Sequence, residues 1–403
     1  MENYDVIIIG AGPSGSSCTA FLSKAGKKVL LLDRAKFPRE KICGDGISGR
    51  SVGVLKELGL LKELQSKDHE DMYGVTFSSP NGTVVPVKAA GGKEAPGFVC
   101  TRMVLDDVLF QNAKKLATKT IEEFLVTDFI KENGKLVGVK GTYKGETSEY
   151  RAKVIVGADG AAGFTARSLG VNNSDAKHQS AGVRAYYENV GGMGDKIELH
   201  FVKETLPGYF WIFPLPDGRA NVGIAILVSH VKSKKINLTK LLDEITTKNP
   251  VFKERFKDAK RTTDVRSWLL PLATKKIKNY GNGYVLIGDA SSLIDPFTGE
   301  GIGNALTSGK VSAQVIVEAL EQNNFSEEKF SEYHKRLYKI IQSEVNTNNN
   351  LLRMCNHPFL VDLIIGKAHR SKDIREVISD AILNPDNHKN LTDPVFFIKA
   401  LFA

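Results

Sequence analysis

A glycine-rich turn set between two strand-like apolar runs constrains this chain more than any other feature of its sequence. In Tyr4–Gly10, Val6, Ile7, Ile8 and Ile9 follow one another without polar alternation, as in a parallel strand covered on both faces. Gly10-Ala11-Gly12-Pro13-Ser14-Gly15 comes next, then helix-compatible sequence through Ala25, with Gly26 placed as its C-cap. Val29–Leu32 reads as a second buried strand that ends at Asp33. This is a complete β-α-β unit with G-x-G-x-x-G at its first turn. The three glycines answer three demands: a tight turn, close approach of backbone to a pyrophosphate, and close helix–strand packing. The helix N-terminal amides then face the phosphates. Asp33 stands where an adenosine ribose would be hydrogen-bonded. The unit reads as a dinucleotide-binding site in an α/β fold.

At 403 residues the chain exceeds the usual single-core size, so two or three packed regions are expected. Phe124–Ile130, Lys135–Tyr143 and Thr147–Lys153 read as a strand meander turned by Asn133-Gly134 and Lys144-Gly145. Val154–Gly157 reads as a further buried strand, followed by Ala158-Asp159-Gly160. Residues 176–270 mix strands with two basic stretches, Val231–Lys240 and Lys248–Arg261. Tyr284–Ile287 returns as a buried strand running into Gly288-Asp289, and a helix is expected from about Ile302 to Leu320. The rest, from Ser326, has a helical pattern with Asn346–Asn350 as a polar interruption. The nucleotide domain is therefore expected to be discontinuous.

Composition narrows the function classes. Hydrophobic residues at 42% and charged residues at 25% exclude a disordered chain. The longest apolar stretches, Val6–Ile9 and Val222–Val228, fall far short of the roughly 20 residues of a membrane-spanning helix. Glu2 and Asp5 precede the first apolar run, so no secretory signal is expected. Cys18, Cys43, Cys100 and Cys355 form no C-x-x-C, which points to a reducing cytoplasm and away from disulfides. The eight histidines show no clustered spacing, and no metal is expected. A net charge of +9 suits anionic lipid or a phosphorylated substrate, and the absence of any nucleic-acid motif argues against that partner.

Three ordered motifs carry a family resemblance: Gly10-x-Gly12-x-x-Gly15, Ala158-Asp159-Gly160, and Gly288-Asp289 leading to Asp295-Pro-Phe-Thr-Gly-Glu-Gly301-Ile-Gly303. Together they resemble the FAD-dependent enzymes similar to p-hydroxybenzoate hydroxylase, from residue 4 to about 320. The resemblance implies a Rossmann-type, glutathione-reductase-like FAD-binding domain over 1–72, 101–175 and 275–322. It implies an inserted mixed-sheet substrate domain over 73–100 and 176–274, and a helical region over 323–403. It assigns FAD to Gly10, Ala11, Gly12, Pro13, Ser14, Gly15, Asp33, Arg34, Arg102, Val126, Asp159, Gly288, Asp289, Gly299, Gly301, Ile302 and Gly303. Asp289 is expected at a strand end facing the ribityl chain, and Asp159 as a loop-fixing residue. Arg102 is expected to reach the FAD phosphates. The Gly299–Gly303 amides and helix end would stabilise charge on the reduced flavin.

Two further motifs narrow this. Lys41-Ile-Cys43-Gly44-Asp45-Gly46 resembles the K-x-C-G-(D/G) segment of the geranylgeranyl reductase family. Pro207-Gly-Tyr209-Phe-Trp211-Ile-Phe213-Pro214, with Asn221-Val222-Gly223, resembles its Y-x-W-x-F-P signature, although Leu215 stands where that family often has lysine. The resemblance implies reduction of prenyl double bonds, with Cys43, Gly44 and Asp45 at the catalytic position and Tyr209, Trp211 and Phe213 facing substrate. NAD(P)H or a ferredoxin-like protein would supply electrons. The alternatives are a flavin monooxygenase or halogenase, for whose lysine Lys88 is a loose candidate, and a non-catalytic FAD-binding module. The apolar segment Val395–Phe402 is a candidate for peripheral membrane contact, or for docking on the protein's own core or a dimer partner.

Overall fold

The computed structural model describes residues 3–89, 95–171 and 175–383; the segment Val395–Phe402 lies outside them. The continuous apolar runs form the middle of an eight-stranded sheet. Its parallel strands lie in the order Tyr284–Leu286, Glu146–Gly157, Asn3–Ile9, Val29–Leu32, Lys119–Ile121. The first strand is central, which explains why its sequence does not alternate. Val6 and Ile8 face one core with Cys18, Leu22, Val311 and Phe330, and Ile7 and Ile9 face another with Phe124, Val126 and Val139. Gly26, at φ 73°, ends the helix Pro13–Lys24 as read from sequence.

The meander turns at Asn133-Gly134 and Lys144-Gly145, all four residues with positive φ, as a type I′ hairpin requires. One expectation is corrected. Thr147–Lys153 and Val154–Gly157 are a single strand, Glu146–Gly157. No turn-forming residue separates them, so the strand pairs antiparallel with Lys135–Tyr143 and then continues in parallel beside Asn3–Ile9.

A second eight-stranded sheet takes Gly74–Ser78 and Val84–Lys88 from early in the chain and its other strands from residues 179–271. The strands Gln179–Glu188, Arg219–Leu227 and Tyr209–Leu215 run side by side at its centre. One face buries Val183, Phe210, Ile212 and Val222 against Leu241, Leu242 and Ile245 of the helix Leu238–Lys248. The opposite face turns toward the first sheet. A small third sheet joins Gly46–Ile47, Gly97–Val99 and Glu70–Met72.

The helix Ile302–Glu321 packs on Pro13–Lys24, and the helix Glu327–Met354 packs on it in turn. Asn346–Asn350 does not interrupt this second helix. Asn348 is 1% exposed and its Nδ2 donates to Asp295 Oδ2 at 2.9 Å, so a polar residue in mid-helix is matched by the neighbouring loop. Helices Pro358–Arg370 and Lys372–Leu383 then cover the sheet edge, where Val361, Ile365 and Ile374 meet Val85, Val87 and Phe201. Among the described residues no helix is long and apolar enough to cross a membrane, and all four cysteines are unpaired.

Candidate active site

Between the two large sheets lies a cavity of about 1120 Å³ whose wall joins the sequence motifs. At one end is the glycine turn. Asp33 Oδ2 accepts the Ala11 amide at 2.6 Å and Oδ1 accepts the Ala35 amide at 2.8 Å, so the carboxylate at the second strand's end fixes the turn. A Cβ on Gly15 would stand 1.8 Å from the Gly10 carbonyl oxygen, whereas one on Gly12 would meet nothing nearer than Arg39 Nη2 at 3.4 Å. Gly15 is thus held by packing, and Gly12 opens onto free space at a helix N-terminus. That is the cradle a pyrophosphate fills, and these residues fit FAD. Arg34 and Val126 lie on the wall beside Asp33.

Arg102 is buried and forked onto Asp106 at 2.6 and 2.7 Å, with Arg39 adding a third contact at 3.0 Å. Burial works against its cation, but Asp106 and, less strongly, Cys43 outweigh it and hold the guanidinium above its ordinary pKa. Asp159 Oδ2 accepts the amide and hydroxyl of Thr165, fixing the turn into Phe164–Ser168, while its buried Oδ1 has no partner; burial raises its pKa.

At the loop's other side, the strand Tyr284–Leu286 stops short of Asp289. Gly288, at φ 60°, breaks it, and Asp289 faces the cavity from the short 3-10 turn Gly288–Ser291. Gly299, Gly301 and Ile302 line the wall at the start of Ile302–Glu321. Ala11, Gly15, Gly288 and Gly303 stand behind the wall. Gly288 packs against Ser14, and the Gly303 amide donates to Glu300 Oε1 at 2.6 Å. The loop is braced by Asp295, whose Oδ1 accepts the Phe297 and Thr298 amides, and by Asn348. Arg50 bridges Asn304 and Glu344 across the same loop.

The segment carrying Cys43, Gly44 and Asp45 docks on the aromatic strand. A Cβ on Gly44 would come within 3.1 Å of the Phe213 ring, so only glycine permits this approach without a shift. Asp45, at φ 68° and fully buried, accepts Tyr186 Oη and Asn221 Nδ2, each at 2.7 Å. Burial raises its pKa, and these two hydrogen bonds pull it partly back. Asn221 also donates to the Cys43 carbonyl at 2.7 Å and accepts Trp211 Nε1 at 2.9 Å. One side chain therefore fixes the cysteine segment and the tryptophan together. Tyr209, Trp211 and Phe213 all face the cavity, and Phe210 and Ile212 face the opposite core, as period-two alternation requires. Tyr209 Oη donates to the Thr298 carbonyl at 2.8 Å, tying the aromatic strand to the loop that precedes Gly299.

Lys41, Arg184, Trp268, Glu344 and Asn348 also line the wall, and of these only Lys41 lies in a motif legible in the sequence. Burial lowers the pKa of Lys41. Lys88 is exposed on an edge strand and is not part of the wall.

Comparison with known proteins places this geometry. The FAD binding domain family model matches residues 3–342. A digeranylgeranylglycerophospholipid reductase of Thermoplasma acidophilum is 30% identical over 344 residues, covering 83% of each chain. A solved geranylgeranyl bacteriochlorophyll reductase-like protein from the same organism superposes with a TM-score of 0.85 at 25% identity, covering 98% of this chain and 99% of its own. A flavin-dependent brominase variant shares the fold at a TM-score of 0.79 and 22% identity, covering 97% and 98% of the two chains. The glycine cradle, the braced Gly299–Gly301 loop and these matches together make the chain an FAD-dependent oxidoreductase that belongs to the FAD binding domain family and, within it, to the geranylgeranyl reductase family.

Proposed function

We propose that this enzyme saturates carbon–carbon double bonds of a prenyl chain carried on a diphosphate, a lipid or a quinone. The observation that carries the reading is the course of the cavity wall. It runs from the glycine turn and Gly299, past Cys43 and Trp211, to an apolar end of Phe77, Leu199, Met354 and Ile365. A long hydrocarbon suits such a wall, and the name of the Thermoplasma relative points the same way. When bound and reduced, FAD supplies a hydride equivalent.

The chain's own residues account for the rest. The aromatic row and the apolar end exclude water and align the alkene, which an unactivated double bond requires. Cys43, half-buried on the wall, is the candidate to deliver or govern the proton that reaches the second carbon. Asn221 holds its backbone carbonyl and Asp45 holds Asn221 in turn, so both act as positioning residues. Electrons would come from NAD(P)H bound transiently or from a ferredoxin-like donor. The basic charge supports peripheral contact with an anionic cytoplasmic membrane face, where a lipid-soluble substrate resides.

The test is anaerobic. Dithionite-reduced, FAD-loaded protein is mixed with prenyl substrates while flavin reoxidation and product mass are followed together. Reoxidation matched by gain of one H2 per double bond is expected. Reoxidation by oxygen alone, with peroxide released on adding an aromatic substrate, would overturn the reading in favour of a monooxygenase or halogenase.

A further inference from the structure

The geometry points to a phosphate-binding corner, formed by Arg184 and Trp268, that holds the anionic end of the prenyl substrate; this rests on the prenyl-reductase reading above. Arg184 is 1% exposed. Its Nη2 donates to Glu40 Oε1 at 2.7 Å, but its buried Nε and Nη1 have no hydrogen-bond partner. The buried Nε1 of Trp268 is also without a partner. Both side chains line the cavity, as does Lys41, whose ammonium lies 4.3 Å from the Trp268 ring centre. Arg266 reaches the other oxygen of Glu40 at 2.5 Å and adds positive charge at the rim.

Arginine and tryptophan side chains offer donors and no acceptor. Buried donors are almost always matched in folded proteins, so three unmatched ones on two residues that line one cavity call for an acceptor-rich ligand. A phosphate answers this best, because it gathers several charged acceptor oxygens around one centre and can take one hydrogen bond from a guanidinium N–H and another from an indole N–H. The FAD pyrophosphate is already accounted for at Gly12, where the backbone opens onto free space.

Strand register explains why the corner belongs to a chain-like substrate. Arg184 pairs with Gly223, Gly223 with Trp211, Trp211 with Leu199, and Leu199 with Phe77. Paired residues share a face, and four steps of roughly 4.8 Å give a row about 19 Å long. In the neighbouring row Trp268 pairs with Gly182, Gly182 with Ala225, and Ala225 with Tyr209. Small residues therefore floor both rows between the donors and the aromatic rings. The wall is polar at one end, aromatic in the middle and apolar at the other end. An amphiphile with an anionic head fits it, and a neutral quinone leaves the donors unmatched.

Calorimetric titration of the FAD-loaded enzyme with geranylgeranyl diphosphate, geranylgeraniol and inorganic pyrophosphate tests this. Arg184→Gln is expected to weaken the diphosphate about 10- to 100-fold, and Trp268→Phe about 3- to 10-fold. The alcohol, with the same chain and no phosphate, is expected to change less than about threefold in either variant. Pyrophosphate is expected to compete with the diphosphate in the wild type and not in Arg184→Gln. Equal weakening of diphosphate and alcohol, or absence of pyrophosphate competition in the wild type, would overturn the inference. So would loss of bound FAD in Trp268→Phe, which assigns the donors to the cofactor. An effect confined to NADPH against NADH would assign them to a nicotinamide phosphate and overturn it as well. If the diphosphate binds through Arg184 but never reoxidises reduced flavin, the phosphate corner stands and the reductase reading falls.

Discussion

Glu344→Gln is expected to make the protein more stable than the wild type at neutral and alkaline pH and equal to it in mild acid. Glu344 projects from Glu327–Met354 into the cavity wall, where Arg50 Nη2 donates to its Oε2. Burial raises its pKa from 4.5 to about 7; Arg50 opposes the rise, and Asp295 and Glu300 add to it. An increase of that size corresponds to about 3 kcal/mol. Below pH 4.5 the carboxyl is protonated in both folded and unfolded chains and contributes nothing. Between pH 4.5 and about 7 the unfolded chain ionises first, so stability falls as pH rises, and the full loss is reached above the folded pKa. A glutamine stays neutral throughout and suffers no such loss.

The assay is urea unfolding of FAD-loaded wild type and variant from about pH 4.5 to about pH 8, with tryptophan and flavin fluorescence followed together. The variant-minus-wild-type difference should start near zero and climb to about 3 kcal/mol. A difference that is flat with pH would refute the assignment. A variant that is less stable than wild type at about pH 8 would show that the Arg50–Glu344 ion pair outweighs desolvation, contrary to the reasoning.

Two further substitutions separate cofactor binding from catalysis. Gly12→Val should leave the protein folded yet without FAD, because the added side chain has room against Arg39 and occupies the pyrophosphate cradle; full FAD retention by absorbance would contradict the cradle. Cys43→Ala should keep FAD and lose about 100- to 10,000-fold in alkene reduction, measured by anaerobic flavin reoxidation, and a loss of less than about threefold would make the thiol a packing residue.

The parts of the fold legible in the sequence were those set by local rules. Val6–Ile9 without alternation demanded a central strand, Gly26 ended its helix, and Asn133-Gly134 and Lys144-Gly145 could turn only as hairpins. Local reasoning failed where tertiary partners rewrite it. The Asn346–Asn350 run looked like a break because exposed asparagines favour loops, but Asn348 finds Asp295 across the helix–loop contact. Lys153 and Val154 looked like the end of one strand and the start of another because polarity changes there. That change marks where the strand passes from the edge meander into the buried parallel sheet.

The site divides in the same way, for a reason that lies in how its residues are held. Gly10 and Gly15 are constrained by close backbone packing within one turn, and Gly12 by the space a pyrophosphate needs, and such constraints leave a fixed spacing in the sequence. Cys43 and Trp211 are constrained by a shared partner, Asn221, which lies 178 residues from the first in sequence and 10 from the second. Arg184 and Trp268 are brought together by strand register, with Gly182 opposite the tryptophan and Gly223 opposite the arginine. Seen alone in sequence, each of these is a strand residue with no motif around it. Their common property, donors with nothing to donate to, exists only once the sheet has formed and closed over the cavity. A residue that serves a ligand from the middle of a sheet therefore leaves its trace in unmet hydrogen bonds, and the positions that keep its path clear leave theirs as small residues in the next strand.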